Sequence, residues 1–272
     1  MKNFKERVII ALDYNNLDSA KDMLERLKGE ALFYKIGLEL FTSCCDKSVK
    51  LIRDYGCKIF LDLKFHDIPN TVYNAVKSAG ELGVDIINVH ASGGVEMMKS
   101  AKKGGMEAAD KIGKNIDIIA VTVLTNLSEG DVRDIFYYSK EKTNPDGLNG
   151  GCGNIVGNLA LHLAKLAKIS GLDGAVCSGY ESVEIKKVLG DGFKTIIPGI
   201  RLKRGNYAKD GNAGNAAAGG VRVDDQKRVM TPSMAFNSQA DYIIIGREVT
   251  ASNNPIEALK AVYNDIERFA GN

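Results

Sequence analysis

Phe60-Leu61-Asp62-Leu63-Lys64-Phe65-His66-Asp67-Ile68-Pro69-Asn70-Thr71 is the stretch on which the reading of this chain turns. Side chains alternate along a strand, so Phe60, Asp62 and Lys64 share one face and Ile59, Leu61 and Leu63 the other. The second face is wholly apolar and is expected to pack on helices. The first carries a carboxylate and an ammonium into an interior, where charges are costly unless paired. Asp67 follows the strand, where a loop can aim it back at the ammonium. Carboxylates and ammonium groups alternating at a strand end suit proton delivery in a site sheltered from water.

On either side of this stretch, short apolar runs alternate with helical patterns. Strands are expected at 8–13, 33–37, 58–64, 85–90, 117–125, 174–178, 194–200 and 242–247. Amphipathic stretches such as 19–27, 71–82, 155–169, 182–189 and 255–269 read as helices between them. Strands apolar on both faces fit a parallel sheet covered by helices. Eight such units in 272 residues predict an α/β chain built as a single (β/α)8 TIM barrel over 1–272, rather than an open doubly wound sheet. An open sheet would usually place a glycine fingerprint after its first strand. Here that position reads Ala11-Leu12-Asp13-Tyr14-Asn15-Asn16. Two Gly- and Asn-rich segments, 139–154 and 205–220, read as flexible insertions at or near the C-terminal mouth. They are either tolerated surface loops or a mobile lid. No internal repeat beyond the βα unit stands out.

A net charge of +2 gives no reason to expect nucleic acid or an acidic membrane as partner, so an anionic ligand would need a local cluster of cations. The five cysteines, Cys44, Cys45, Cys57, Cys152 and Cys177, show no C-x-x-C spacing and read as reduced thiols of a cytoplasmic protein. Three histidines without H-x-x-H or H-E-x-x-H spacing give no recognisable zinc site. The charged start, Met1 to Arg7, is not patterned as a signal peptide, and no apolar run reaches the roughly 18 residues of a membrane span.

The strand ends are unusually polar. Asp13 ends strand one, Lys35 lies in strand two, Asp62 and Lys64 in strand three, and Asn88 and His90 in strand four. Any one of them suits a structural ion pair; several at one end of a barrel suit an active site. His66 and His90 read as supporting groups rather than catalysts. Later in the chain, Pro198-Gly199-Ile200-Arg201 and Gly246-Arg247 end strands seven and eight. Loops after those strands commonly bind phosphate through backbone N–H groups and cations. Gly246 would let the backbone approach such a ligand, Arg247 could grip it, and Gln226 lies on the intervening loop.

With these residues in view, the chain resembles the orotidine 5′-monophosphate decarboxylase family. The resemblance rests on D-L-K-F-H-D-I-P-N-T at 62–71, with Ala11-Leu12-Asp13, Lys35-Ile36-Gly37, Val121-Thr122-Val123-Leu124-Thr125, Asp225-Gln226-Lys227-Arg228-Val229 and Ile245-Gly246-Arg247 in matching order. It implies a (β/α)8 homodimer with shared active sites, acting in pyrimidine synthesis without metal or organic cofactor. By motif, Lys64 would be the proton donor to C6 of the pyrimidine and Asp62 would face the substrate carboxylate. Lys35 and Asp67 would complete the catalytic array, with Asp67 reaching in from the other subunit. Asp13 and Lys35 would hold the ribose, Thr125 the pyrimidine edge, and Gln226 base and phosphate. Arg201, Gly246 and Arg247 would serve the phosphate, and Ile68, Asn70 and Thr71 complete the substrate-binding set. The segment 205–220 is extra sequence relative to that family, and 139–154 is longer than usual. The alternatives are a metal-dependent phosphosugar decarboxylase or aldolase of the same superfamily, or an inactive nucleotide-binding barrel.

Overall fold

The computed structural model describes residues 4–136, 155–202 and 228–270, with only the backbone at 269 and 270. Both expected insertions, Cys152 and Gln226 lie outside the described residues. Eight parallel strands close into a barrel in chain order: β1 (Val8–Leu12), β2 (Phe33–Gly37), β3 (Lys58–Phe65), β4 (Ile86–His90), β5 (Asp117–Val121), β6 (Gly174–Val176), β7 (Lys194–Ile197) and β8 (Tyr242–Ile245). β8 returns to β1 through Val8↔Ile243 and Ile10↔Ile245, so no sheet edge remains. The helices are α1 (Leu17–Arg26), α2 (Leu38–Cys44), α3 (Asp46–Asp54), α4 (Pro69–Glu81), α5 (Val95–Ile112), α6 (Glu129–Phe136), α7 (Ile155–Ile169), α8 (Gly179–Leu189), α9 (Pro232–Asn237), α10 (Arg247–Thr250) and α11 (Pro255–Ala270).

Period-two alternation sorts the core into two shells. Ile9, Phe33, Phe60, Ile86, Ile119, Ile196 and Ile244 fill the barrel interior. Ile10, Tyr34, Ile59, Leu61, Ile87 and Ile118 face outward into the helix layer, with Leu63 packed against it. The faces predicted around Phe60 are therefore the observed ones. Helix starts follow local chemistry. The Asn16 side chain accepts the N–H of Ser19 at 2.8 Å ahead of α1, and Pro69 begins α4, where a missing N–H costs nothing. Gly104, inside α5, lies so close to α4 that a Cβ there would stand 2.4 Å from the Tyr73 carbonyl oxygen.

Several strands stop earlier than the apolar runs suggest. β5 ends at Val121 because Thr122 turns both its N–H and its hydroxyl onto the Val176 carbonyl, at 3.2 and 3.0 Å. β7 ends at Ile197, before Pro198, which has no N–H for a ladder. β8 ends at Ile245, and Gly246 leads directly into α10.

The structure also holds a repeat that the sequence reading missed. Asp85, Asp173 and Asp241 each stand just before an even-numbered strand. Each carboxylate accepts an N–H from the preceding strand: Ile59 at 2.8 Å, Ile118 at 2.8 Å and Thr195 at 2.7 Å. Each backbone N–H bonds back to the carbonyl of that same residue. Each carboxylate also pairs with a lysine: Lys114 at 3.0 Å, Lys102 at 2.7 Å and Lys186 at 2.6 Å. One aspartate in every second unit, set in unlike sequence, leaves no visible self-similarity along the chain.

Candidate active site

At the C-terminal ends of the strands lies a cavity of about 360 Å³. Ala11, Phe60, Val121, Val176 and Ile244 are part of its apolar lining. Asp13, Lys35, Asp62 and Lys64 line one side, and Thr125, Arg201, Gly246 and Arg247 also border it. The strand-end residues expected to converge from β1, β2 and β3 therefore do so.

Asp62 is the hub of the charged side and is 8% exposed. Its Oδ1 accepts from Lys64 Nζ at 2.7 Å and from Asn88 Nδ2 at 2.6 Å. Its Oδ2 lies 3.5 Å from Lys35 Nζ, which also donates to Asp13 Oδ1 at 3.0 Å. The result is a chain Asp13–Lys35–Asp62–Lys64, anchored from the side by Asn88. Burial pulls the Lys35 ammonium toward neutrality, but the carboxylates of Asp62 and Asp13 outweigh it and raise its pKa. Lys35 therefore stays charged. Room for that ammonium depends on Gly37: a Cβ there would stand 2.8 Å from Lys35 Nζ.

Lys64 departs from regular strand geometry. Its φ is +51°, and the β3–β4 register shifts between Leu61 and Phe65. Its N–H donates to Asn88 Oδ1 at 2.8 Å. Asn88 thus clamps both the backbone of Lys64 and the carboxylate of Asp62. A left-handed lysine at a bulge is a strained conformation of the kind held at functional positions. Sequence reasoning placed Asn88 near the mouth but gave it no role, and it missed the space kept by Gly37. Period-two placement beside Asp62 was the available signal for Asn88; for Gly37 there was none beyond the K-I-G tripeptide.

Although a loop could aim Asp67 back at the Lys64 ammonium, the carboxylate does not close on it within the chain. Its Oδ1 accepts the N–H of Ile68 at 2.7 Å, and no ion pair joins it to Lys64. Asp67, Ile68, Asn70 and Thr71 are exposed and do not border this cavity. The His66 and His90 rings lie 5.4 Å apart between centroids, tilted 39° to one another. Burial lowers the His90 pKa, with His66 and Lys64 reinforcing and Asp62 opposing, which favours a neutral imidazole.

Across the cavity, the Arg201 Nε lies 3.7 Å from Glu248, and Arg247 opens α10. A Cβ on Gly246 would make only ordinary contacts, with Ala11 at 3.6 Å and Asp13 at 3.7 Å. Protein packing alone therefore does not demand a glycine there. Among the described residues, no group of three or more His, Cys, Asp and Glu is arranged to hold a metal ion, and no helix is long and apolar enough to cross a membrane. Cys44, Cys45, Cys57 and Cys177 are free thiols.

Fold and cavity together define a (β/α)8-barrel enzyme with its charged groups gathered at the C-terminal mouth. The model of the orotidine 5′-phosphate decarboxylase / HUMPS family matches residues 6–262, and the chain belongs to that family. The orotidine 5′-phosphate decarboxylase of Pseudoalteromonas translucida (strain TAC 125) is 40% identical over 262 residues, covering 96% of this chain and 97% of the relative. That of Bacillus cereus (strain Q1) is 41% identical over 263 residues, covering 96% and 98%. The crystal structure of orotidine 5′-phosphate decarboxylase from Lactobacillus acidophilus superimposes with a TM-score of 0.73 at 33% identity, covering 96% and 98% of the two chains.

Proposed function

We propose that the chain converts orotidine 5′-monophosphate to uridine 5′-monophosphate and CO2 without metal or organic cofactor, with Lys64 delivering the proton to C6. The observation that carries this reading is the Asp13–Lys35–Asp62–Lys64 chain, with Asp62 buried between two ammonium groups at 3.5 and 2.7 Å. Loss of CO2 leaves negative charge in the plane of the ring, where the π-system cannot spread it. A fixed ammonium beside that carbon favours the transition state over the ground state, and this difference is what accelerates a reaction. Asp62 keeps the ammonium oriented and faces the substrate carboxylate, so their repulsion disappears as CO2 leaves.

The assignments of Asp13, Lys35, Thr125, Arg201, Gly246 and Arg247 rest on their positions around the cavity, and the others on the sequence motifs. Asp13 and Lys35 take the ribose hydroxyls, and Thr125 the pyrimidine edge. Arg201, Arg247 and the backbone at Gly246 take the phosphate, where the missing side chain at Gly246, on the cavity border, supports close approach. Gln226 bridges base and phosphate. Asp67, with Ile68, Asn70 and Thr71, serves the site of a second subunit in a homodimer. The exposure of Asp67, and of the apolar Ile68 (67%) and Leu38 (57%) at the starts of α4 and α2, supports that arrangement. The chain is read as one barrel domain with insertions at 139–154 and 205–220, working in the cytoplasm. A metal-dependent phosphosugar reaction would require carboxylates free for the cation, and Asp62 is already taken by Lys35, Lys64 and Asn88.

The direct test is the ultraviolet change on mixing the purified protein with orotidine 5′-monophosphate in EDTA. Conversion to uridine 5′-monophosphate is expected. Folded protein that converts nothing in EDTA but turns over phosphosugars with Mg²⁺ would overturn the reading.

A further inference from the structure

Among the described residues, Arg228 is a cation near the cavity that the proposed chemistry leaves without a task. Its side chain is 17% exposed and faces the side chain of Glu181, which is 4% exposed. Nη1 pairs with Glu181 Oε1, while Glu181 Oε2 accepts the N–H of Ser178 at 2.7 Å. Nη2 forks onto two successive carbonyls of the cavity wall, Val123 at 3.3 Å and Leu124 at 3.2 Å. Val123, Leu124 and Thr125 all border the cavity, in the irregular stretch that follows β5. Two residues beyond Arg228, Met230 is bound to the opposite rim: its carbonyl accepts the N–H of Arg201 at 2.9 Å, and its own N–H reaches Gly199 at 3.3 Å.

From this we infer that Arg228 is a positioning residue, which sets the Thr125 wall of the cavity against the Arg201 wall and so determines fit at the base end of the substrate. The inference rests on the decarboxylase reading above. Its physical basis is geometry. A planar guanidinium can hold a carboxylate on one nitrogen and two carbonyls on another, whereas an ammonium gathers its three donors on a single atom and cannot span those positions. Stability alone explains the arrangement poorly. A buried ion pair is often no better than an apolar pair of the same size, and the Nε of Arg228 is buried without a hydrogen-bond partner among the described residues.

The test separates charge neutralisation from positioning. The double variant Arg228→Met/Glu181→Gln removes both charges and keeps an acceptor for Ser178. Arg228→Lys keeps the charge for Glu181 but loses the fork. Each should melt close to the wild type yet lose about tenfold or more in kcat/KM, in line with the cost of misplacing a substrate by a fraction of an ångström to an ångström. The factor should be equal for orotidine 5′-monophosphate and for phosphate-free orotidine, because the displaced wall serves the base. Wild-type kcat/KM in either folded variant overturns the assignment, as does a loss confined to the phosphorylated substrate. An inactive wild type would instead overturn the reaction itself, so the two failures are distinguishable.

Discussion

At Lys64 an L-residue is held at φ +51°, inside a bulge and between two hydrogen-bonding neighbours, Asp62 and Asn88. A left-handed conformation costs a side-chain-bearing residue roughly 1–2 kcal/mol, and glycine escapes that cost. Lys64→Ala and Lys64→Gly both remove the ammonium, so the difference between them isolates the strain. The glycine variant is expected to be about 1 kcal/mol more stable than the alanine variant in urea melts, after allowance for glycine's greater unfolded-state entropy, and neither should turn over substrate. A glycine variant less stable than the alanine variant would mean that the backbone at Lys64 is relaxed. Asp62 and Lys64 were legible as a pair because they are two apart on one strand. The strain was not, because it arises from the neighbouring strand: Asn88 bonds the Lys64 N–H across 24 residues of chain.

The elements are joined at the N-terminal end of the barrel by the three aspartates before β4, β6 and β8. Each ties two strands and a lysine, so loss of one orphans a backbone N–H and an ammonium together. Asp173→Ala should cost about 2 kcal/mol, since Ile118 N–H and Lys102 lose their charged acceptor. In a chain of this size that is a fall of about 4–8 °C in Tm. Asp173→Asn, which retains an acceptor, should recover part of it, and kcat on the opposite end of the barrel should be unchanged in both. A Tm equal to wild type for the alanine variant would show the network to be ornamental. The strands around these residues were legible as apolar runs of the right length. Their ends were not, because β5 and β7 stop where Thr122 finds the Val176 carbonyl and where Pro198 removes a donor. The first of these is a contact made across the barrel wall.

For the whole molecule, the proposed chemistry turns on whether Asp67 reaches the site of a second copy. In one chain its carboxylate caps the N–H of Ile68 and stands exposed, apart from the Lys64 ammonium. If the sites are shared between two copies, mixing Lys64→Ala with Asp67→Ala subunits creates heterodimers in which one site of the two is complete. About a quarter to a half of wild-type activity should then return from two inactive parents, as expected when both residues are needed in one site. Verified heterodimers that stay inactive would place Asp67 outside the catalytic array.

The sequence alone determined the barrel and the placing of Asp13, Lys35, Asp62 and Lys64 at its mouth. Eight apolar runs spaced by helical patterns admit few closed arrangements, and a side-chain period of two aims Asp62 and Lys35 inward whatever the rest of the chain does. Only the tertiary structure decided how the array is held. The Asn88 clamp, the space kept by Gly37, the Arg228 fork and the outward turn of Asp67 each depend on atoms brought together by closure of the ring. Periodicity reports which way a residue points, but the partner it meets there comes from another strand, and hydrogen bonds and close contacts are decided within a few tenths of an ångström that no one-dimensional pattern records.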